Sequence, residues 1–265
     1  RDNSGLSRRL ANLFYEEGVQ EFDLAHGYRA QTHLGSYLMY HALVDEVRQS
    51  QQNSSKQSSS ELYKFIKRVA DSNSTGGRLF TFGSSFGGTG ASSIPVMPRA
   101  ISDCASIVMD NTVEINNIFF GGVVLSAYFK FSPPAADQKK KEKVIANSQF
   151  FSHNSAAALD YYVKDTTILE KYKSLYLLGW PSSKMIDVDE FKEKYMAERA
   201  DGETVTGGKK QENPAHLLEV MSVSAAYHFM HESLTMENDL KKQSKTKFYY
   251  KSLDTSSDSD LIVEE

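Results

Sequence analysis

The chain holds one cysteine, Cys104. That excludes an internal disulfide framework and a zinc site built from several cysteines, and it favours a reducing compartment. No apolar run approaches the roughly 20 residues that a membrane-spanning helix needs; the longest, residues 118–129, is broken by Gly121 and Gly122. Charge of either sign is not in excess: 30 basic and 34 acidic residues leave a net charge of -4, so no overall field draws in nucleic acid or anionic lipid. The opening residues, RDNSGLSRRL, carry neither an initiator methionine nor a signal-like apolar core. An excised piece of a cytoplasmic protein, without membrane or nucleic-acid partners, is the expectation.

What is present is enough apolar residue, 40% of 265, to bury a sizeable core. Helical and extended signals alternate along the chain, which predicts an α/β fold with a mostly parallel sheet and helices on both faces. Leu62, Phe65, Ile66 and Val69 recur at helical spacing, RLFTF (78–82) follows as a strand, and a helix is expected over 94–109. Residues 115–131 are rich in strand formers and near-continuously apolar, as in a strand covered on both faces. A further helix with Phe150, Phe151, Ala157, Ala158 and Tyr162 inward precedes a strand at 174–179. Leu217, Leu218, Met221, Ala225 and Phe229 share one arc of a last helix, with Val220, Val223 and Tyr227 opposite, so that helix is expected to be buried on more than one face. Asn213 suits its cap and Pro214 its first position. Residues 48–60 and 137–143 read as solvent loops, and the acidic end after Leu253 as a frayed tail.

The segment GRLFTFGSSFGGTGASSIP, 77–95, runs a strand into three glycines, Gly87, Gly88 and Gly90. Such a loop offers backbone amides. Glycine lets a bulky anion approach the main chain, and a helix starting just beyond adds unpaired N–H groups and the positive end of its dipole. Phosphate is the matching ligand, with the hydroxyls of Thr89, Ser92 and Ser93 in reach; a tight turn with no ligand is the plain alternative. A P-loop would need lysine directly after its last glycine, but Thr89 follows Gly88. Gly88, Gly90 and Ser93 fall at dinucleotide-fingerprint spacing, yet Asp110 and Glu114 both precede the next strand rather than end it. The nucleophile signature G-x-S-x-G is absent, Cys104 reads as a buried thiol, and pairs such as His228 and His231 lack a third metal ligand.

The loop resembles the GGGTGSG signature of the tubulin and FtsZ superfamily, with Phe86 for its first glycine, Ala91 for serine and Ser92 for the last glycine. Three further segments resemble that family in order. Residues 25–49 are similar to its ARGHYT-type segment and following helix, 119–134 to its next core strand and proline loop, and 212–230 to its long central helix.

The resemblance implies a three-layer, Rossmann-like nucleotide-binding domain over residues 1–231, including a central helix at about 214–231, with 232–265 opening a following region or tail. It further implies GTP or GDP, with Mg²⁺ held through phosphates and waters. The phosphates would lie on Gly87, Gly88, Thr89, Gly90, Ala91 and Ser92. Asn213 is the nearest candidate for the base-contacting asparagine, with helix capping as its alternative role, and head-to-tail homo-oligomers or filaments are the implied assembly. Two departures bear on this. Residues 1–24 hold only Gly5 and Gly18 where an earlier phosphate loop is expected, and 231–245 lack the N-x-D-x-x-D acids that act on a neighbour's nucleotide. No catalytic residue is assigned. A non-hydrolysing interaction module of the same fold is the rival expectation, and a dinucleotide-dependent oxidoreductase a weaker one.

Overall fold

The computed structural model describes residues 28, 31–110, 115–131, 147–188, 215–231 and 245–252. Within them the chain is a mixed α/β fold. Helix α1 spans Thr32–Gln51, α2 Ser54–Ser59 and α3 Glu61–Ser72, followed by strand β1, Gly77–Ser84. Then come α4 (Gly88–Val108), β2 (Ile118–Leu125), the two-residue β3 (Phe129–Lys130), α5 (Phe151–Tyr162) and α6 (Thr166–Lys171). Strand β4 (Tyr172–Gly179), the short β5 (Ile186–Asp187), α7 (Leu217–His231) and β6 (Lys247–Ser252) complete the order. Strands β1, β2, β4 and β6 lie side by side in that order, and every pairing is parallel.

Strand β2 is buried at every position, because it lies between β1 and β4 and helices cover both of its faces. Ile118, Phe120 and Val124 point to a core with Ile94 of α4, Tyr162 of α5 and Ile168 of α6. Phe119, Val123 and Leu125 point the other way, to Leu218, Ala225 and Phe229 of α7. The glycine pair at the strand's centre makes room for rings on opposite faces. A Cβ on Gly121 would stand 2.8 Å from the Phe229 ring, and one on Gly122 would stand 3.0 Å from Tyr172. Opposite this pair β4 carries one extra residue, Lys173, since Phe120 aligns with Tyr172 and Gly121 with Ser174.

Helix α1 lies outside α4. Val44 and Val47 meet Tyr63 and Ile66 of α3 and Cys104 and Ala105 of α4 in a separate apolar cluster. Ser92 bonds the Thr32 carbonyl and Tyr40 bonds Asp103, so α1 and α4 advance in the same direction. Cys104 is fully buried there, and burial pushes its thiol up to about 12, so no reactive thiolate forms.

Helix α4 contains Pro95 and Pro98. Each lacks the N–H that would bond the carbonyl four residues back, which leaves the oxygens of Ala91 and Ile94 without their helical donors. Both are met from outside the helix. Tyr162 donates its hydroxyl to Ala91 O at 2.8 Å, and Tyr172 donates to Ile94 O at 2.9 Å. Burial raises both phenols well above their usual value, so they remain donors throughout the accessible pH range.

Several expectations change here. Residues 48–60 are not a solvent loop: α1 runs to Gln51, and Asn53 caps α2 by accepting from the N–H groups of Ser55 and Lys56. Ser58 and Ser59 then bond carbonyls four residues back. Helix α7 is not buried on more than one face, because Leu217, Val220, Val223 and Tyr227 are exposed, Tyr227 at 64%. It begins at Leu217 rather than 214. Phe150 and Ala157 are exposed while Phe151 and Tyr162 are buried. Helix α4 starts at Gly88, six residues before the expected 94. Residues 137–143 and the acidic tail lie outside the described residues.

Removing the hydroxyl in Tyr162→Phe leaves the buried Ala91 carbonyl without a donor and should cost about 1–3 kcal/mol in urea unfolding. Pro95→Ala supplies an amide to the same carbonyl. In the double variant much of that loss should be recovered, and strict additivity of the two changes would contradict the assignment. Ser174→Ala, which removes a buried hydroxyl that has no partner among the described residues, should be neutral or stabilising.

Candidate functional site

In a parallel sheet, ligands bind beyond the carboxyl ends of the strands, where loops and helix N-termini meet. Here that edge gathers the glycine loop after β1, residues 126–128 after β2, Trp180 after β4, and the start of α7. The direction of α7 is fixed at its far end, where Arg78 at the start of β1 donates to the carbonyls of Phe229 and Met230 at 2.9 and 3.2 Å.

The glycine loop is held from below. Ser85 is buried; its N–H donates to Leu125 O at 2.9 Å, and its hydroxyl bonds Leu125 O and Ser155. Phe86, directly before the glycines, is 5% exposed. Its ring packs on Phe151 at 4.7 Å, Phe129 at 5.5 Å and Tyr128 at 6.0 Å. The loop's one large side chain therefore points into an aromatic cluster beneath it. Asn154 adds a bond to the Phe86 carbonyl.

Gly87 occupies the cap position of α4, and among the described residues no side chain caps the helix. The first four N–H groups of a helix have no partner within it, so the amides from Gly87 to Gly90 lack helical partners; Gly88 is buried and Gly87 and Gly90 are half-buried. Gly90 is required by close approach: a Cβ there would lie 2.5 Å from Ser84 N, and one on Gly83 would lie 2.7 Å from Gly90 O. The two backbones touch, and α4 leaves β1 at a fixed angle.

The predicted phosphate-binding residues separate into two groups. Gly87, Gly88, Thr89 and Gly90 lie together at the helix start, with Thr89 exposed and its Oγ1 accepting weakly from Tyr28 N–H at 3.4 Å. Ala91 and Ser92 are buried one residue further in, where helical N–H groups bond back to the carbonyls of Gly87 and Gly88. The Ser92 hydroxyl donates to Thr32 O at 2.8 Å and also to Gly88 O, and Ser93 donates to Gly90 O at 2.8 Å. The Ser92 hydroxyl serves the packing of α1 on α4 and that of Ser93 stays within α4, so neither reaches the loop surface as the sequence suggested. Asn213 lies outside the described residues.

Sequence reasoning missed His216. The N–H of Leu218 donates to His216 Nδ1 at 3.2 Å, while Glu219 Oε2 accepts from His216 N–H at 2.9 Å. This is a reciprocal capping box with histidine in the cap position. Glu219 Oε1 accepts from the Tyr128 hydroxyl at 2.5 Å. The imidazole stacks on Tyr128 at 4.6 Å and meets the edge of Trp180 at 4.4 Å. Trp180 is itself tied down, its main-chain N–H to Ser126 Oγ at 2.8 Å and its indole N–H to Lys184 O at 2.7 Å. An aromatic cluster thus stands at the same sheet edge as the amides of the glycine loop.

The arrangement offers main-chain donors for an anion at one end and π-faces for a ring at the other. Among the described residues, no three His, Cys, Asp or Glu side chains converge to hold a metal, and no helix is long and apolar enough to cross a membrane. The chain matches no protein-family model, no curated protein and no solved structure.

Burial lowers the His216 pKa, against a smaller raising effect of Glu219, and only the neutral ring can accept at Nδ1. A depressed folded-state pKa means stability is complete above the usual imidazole value of about 6.5 and is lost as the pH falls below it. His216→Asn keeps a good cap without the titration. The wild-type melting temperature should fall between pH 7 and pH 5 more steeply than that of His216→Asn; parallel curves would exclude His216 as the acceptor.

Proposed function

We propose that this chain is a nucleotide-binding domain of tubulin-like type that holds GTP or GDP with its phosphates on the amides of Gly87–Gly90. The observation that carries the reading is an uncapped helix N-terminus, opened by glycines, at the carboxyl edge of a parallel sheet. Thr89 Oγ1, on the exposed side of the first turn, adds a hydroxyl to the donor set. Mg²⁺ would be held by phosphate oxygens and water, and no side chain is assigned to it. The Tyr128, His216 and Trp180 wall supports a base stacked at the other end of the same edge. The reading includes head-to-tail assembly of copies, and it assigns no catalytic residue.

A second reading is favoured by one observation. Leu217, Val220, Val223 and Tyr227 form an exposed apolar stripe along α7, as an interaction module contributing a surface to a larger complex would present. It differs from the first in needing no nucleotide.

Differential scanning of the purified protein with and without GTP and Mg²⁺ separates them, since ligand at about 100 times its dissociation constant stabilises by roughly 2.7 kcal/mol. Thr89→Glu is the informative variant. A carboxylate in the first helical turn suits the helix dipole, so the free protein should melt at or above the wild-type temperature, while phosphate is repelled and the GTP-dependent shift disappears. A wild type that shows no shift, or a Thr89→Glu protein that keeps it, removes the nucleotide reading.

A further inference from the structure

A groove of about 830 Å³ runs between α1, the first half of α4, and α5 with its corner into α6. Its floor is made of small groups: Ala91 and Pro95 of α4, with Ala157 and Ala158 of α5. The depth follows from packing already described. Gly35 lets α1 close onto α4, since a Cβ there would overlap the Ser92 hydroxyl, and the Tyr162 bond to Ala91 O draws α5 onto the same turn. Larger side chains line the groove on either side of this apolar floor.

The walls are aromatic. On α1, Tyr37 and His41 lie 4.5 Å apart, and Tyr40 meets His41 edge-on at 5.5 Å; Tyr161 stands on the α5 side. Two charged groups line the groove away from the glycine loop. Asp165 has its carboxylate already engaged, accepting from the Tyr161 hydroxyl at 2.7 Å and capping α6 through the Ile168 N–H at 2.9 Å. Arg99 stands about 12 Å further along α4 from Ala91. Its guanidinium lies over the Tyr40 ring at 5.8 Å, is 64% exposed, and approaches Asp103 only at 3.8 Å. Asp103 in turn accepts from the Tyr40 hydroxyl at 2.7 Å. The Asp165 carboxylate is satisfied, whereas Arg99 keeps donors turned to solvent.

We propose that this groove is a binding site for an elongated aromatic or otherwise planar molecule with a single terminal acid group. The planar body lies between the tyrosine walls over Pro95 and Ala157, and the acid group pairs with Arg99. The volume falls in the range of small-molecule sites. The proposal does not depend on the nucleotide reading.

Anilinonaphthalene sulfonate, a planar fluorescent dye with one acid group, is the probe. It should bind the native protein with one site per chain and a rise in fluorescence. Ala157→Trp, at an exposed position on the floor, should abolish binding without lowering the melting temperature. Arg99→Gln should weaken the dye roughly fivefold while leaving phenylnaphthylamine, the analogue without the acid group, bound as in the wild type. Val223→Ser on the exposed stripe of α7 should change neither ligand. The assignment fails if the native protein does not bind the dye, if Ala157→Trp binds it unchanged, if Val223→Ser abolishes binding, or if Arg99→Gln weakens both ligands alike.

Discussion

The parallel register of β2 between β1 and β4 is the constraint on which the other arrangements depend. A strand buried on both faces has no water to satisfy its amides, so each must be paired along the ladder, and the pairing places all the strand ends at one edge. From β1 the ladder continues into Ser85, whose N–H reaches Leu125, and from β2 into Ser126, whose N–H reaches Leu178. The loops that follow therefore leave from fixed points. Gly121 and Gly122 let Phe229 and Tyr172 close on either side, which sets how near α7 and the α4 layer approach the sheet. The candidate site is the product of these two restrictions, one along the sheet and one across it.

The parts of the fold that were legible in the sequence are those where burial writes a period into the chain. The expected strands at 78–82 and 174–179 lie within β1 and β4, and the apolar residues at 118–125 form a strand covered on both faces. Apolar periodicity alone does not say which face meets a neighbour. Val220, Val223 and Tyr227 carry the same chemistry as core residues, and only the position of the sheet shows that they face outward. The serine-rich stretch at 48–60 hides its helix for another reason. Its helical structure comes from Asn53 accepting two amides and from local serine bonds, neither of which leaves an apolar pattern.

For the candidate site, the glycines were visible because few residue types allow two backbones to touch, as Gly83 and Gly90 do. The role of His216 was not, since histidine is an uncommon cap. A signal was nevertheless present in Glu219, three residues further on, at the capping-box spacing. Phe86 reads as a defect when the loop is set against the GGGTGSG signature. In the folded chain it is a bolt, and the loop owes its position to a ring that a glycine could not supply.

The two tyrosine hydroxyls that serve α4 also bear on how the chain is made. Ala91 and Tyr162 are 71 residues apart, and Ile94 and Tyr172 are 78 apart. As the chain leaves the ribosome, α4 emerges with two carbonyls that nothing yet synthesised can satisfy. Until α5 and β4 arrive, the middle of the helix must keep water on those oxygens and cannot dock dry against the sheet. Synthesis at about 5–20 residues per second sets that wait at several seconds. During it α4 is a wet and only partly committed element, and the last partner to emerge completes a helix formed long before it.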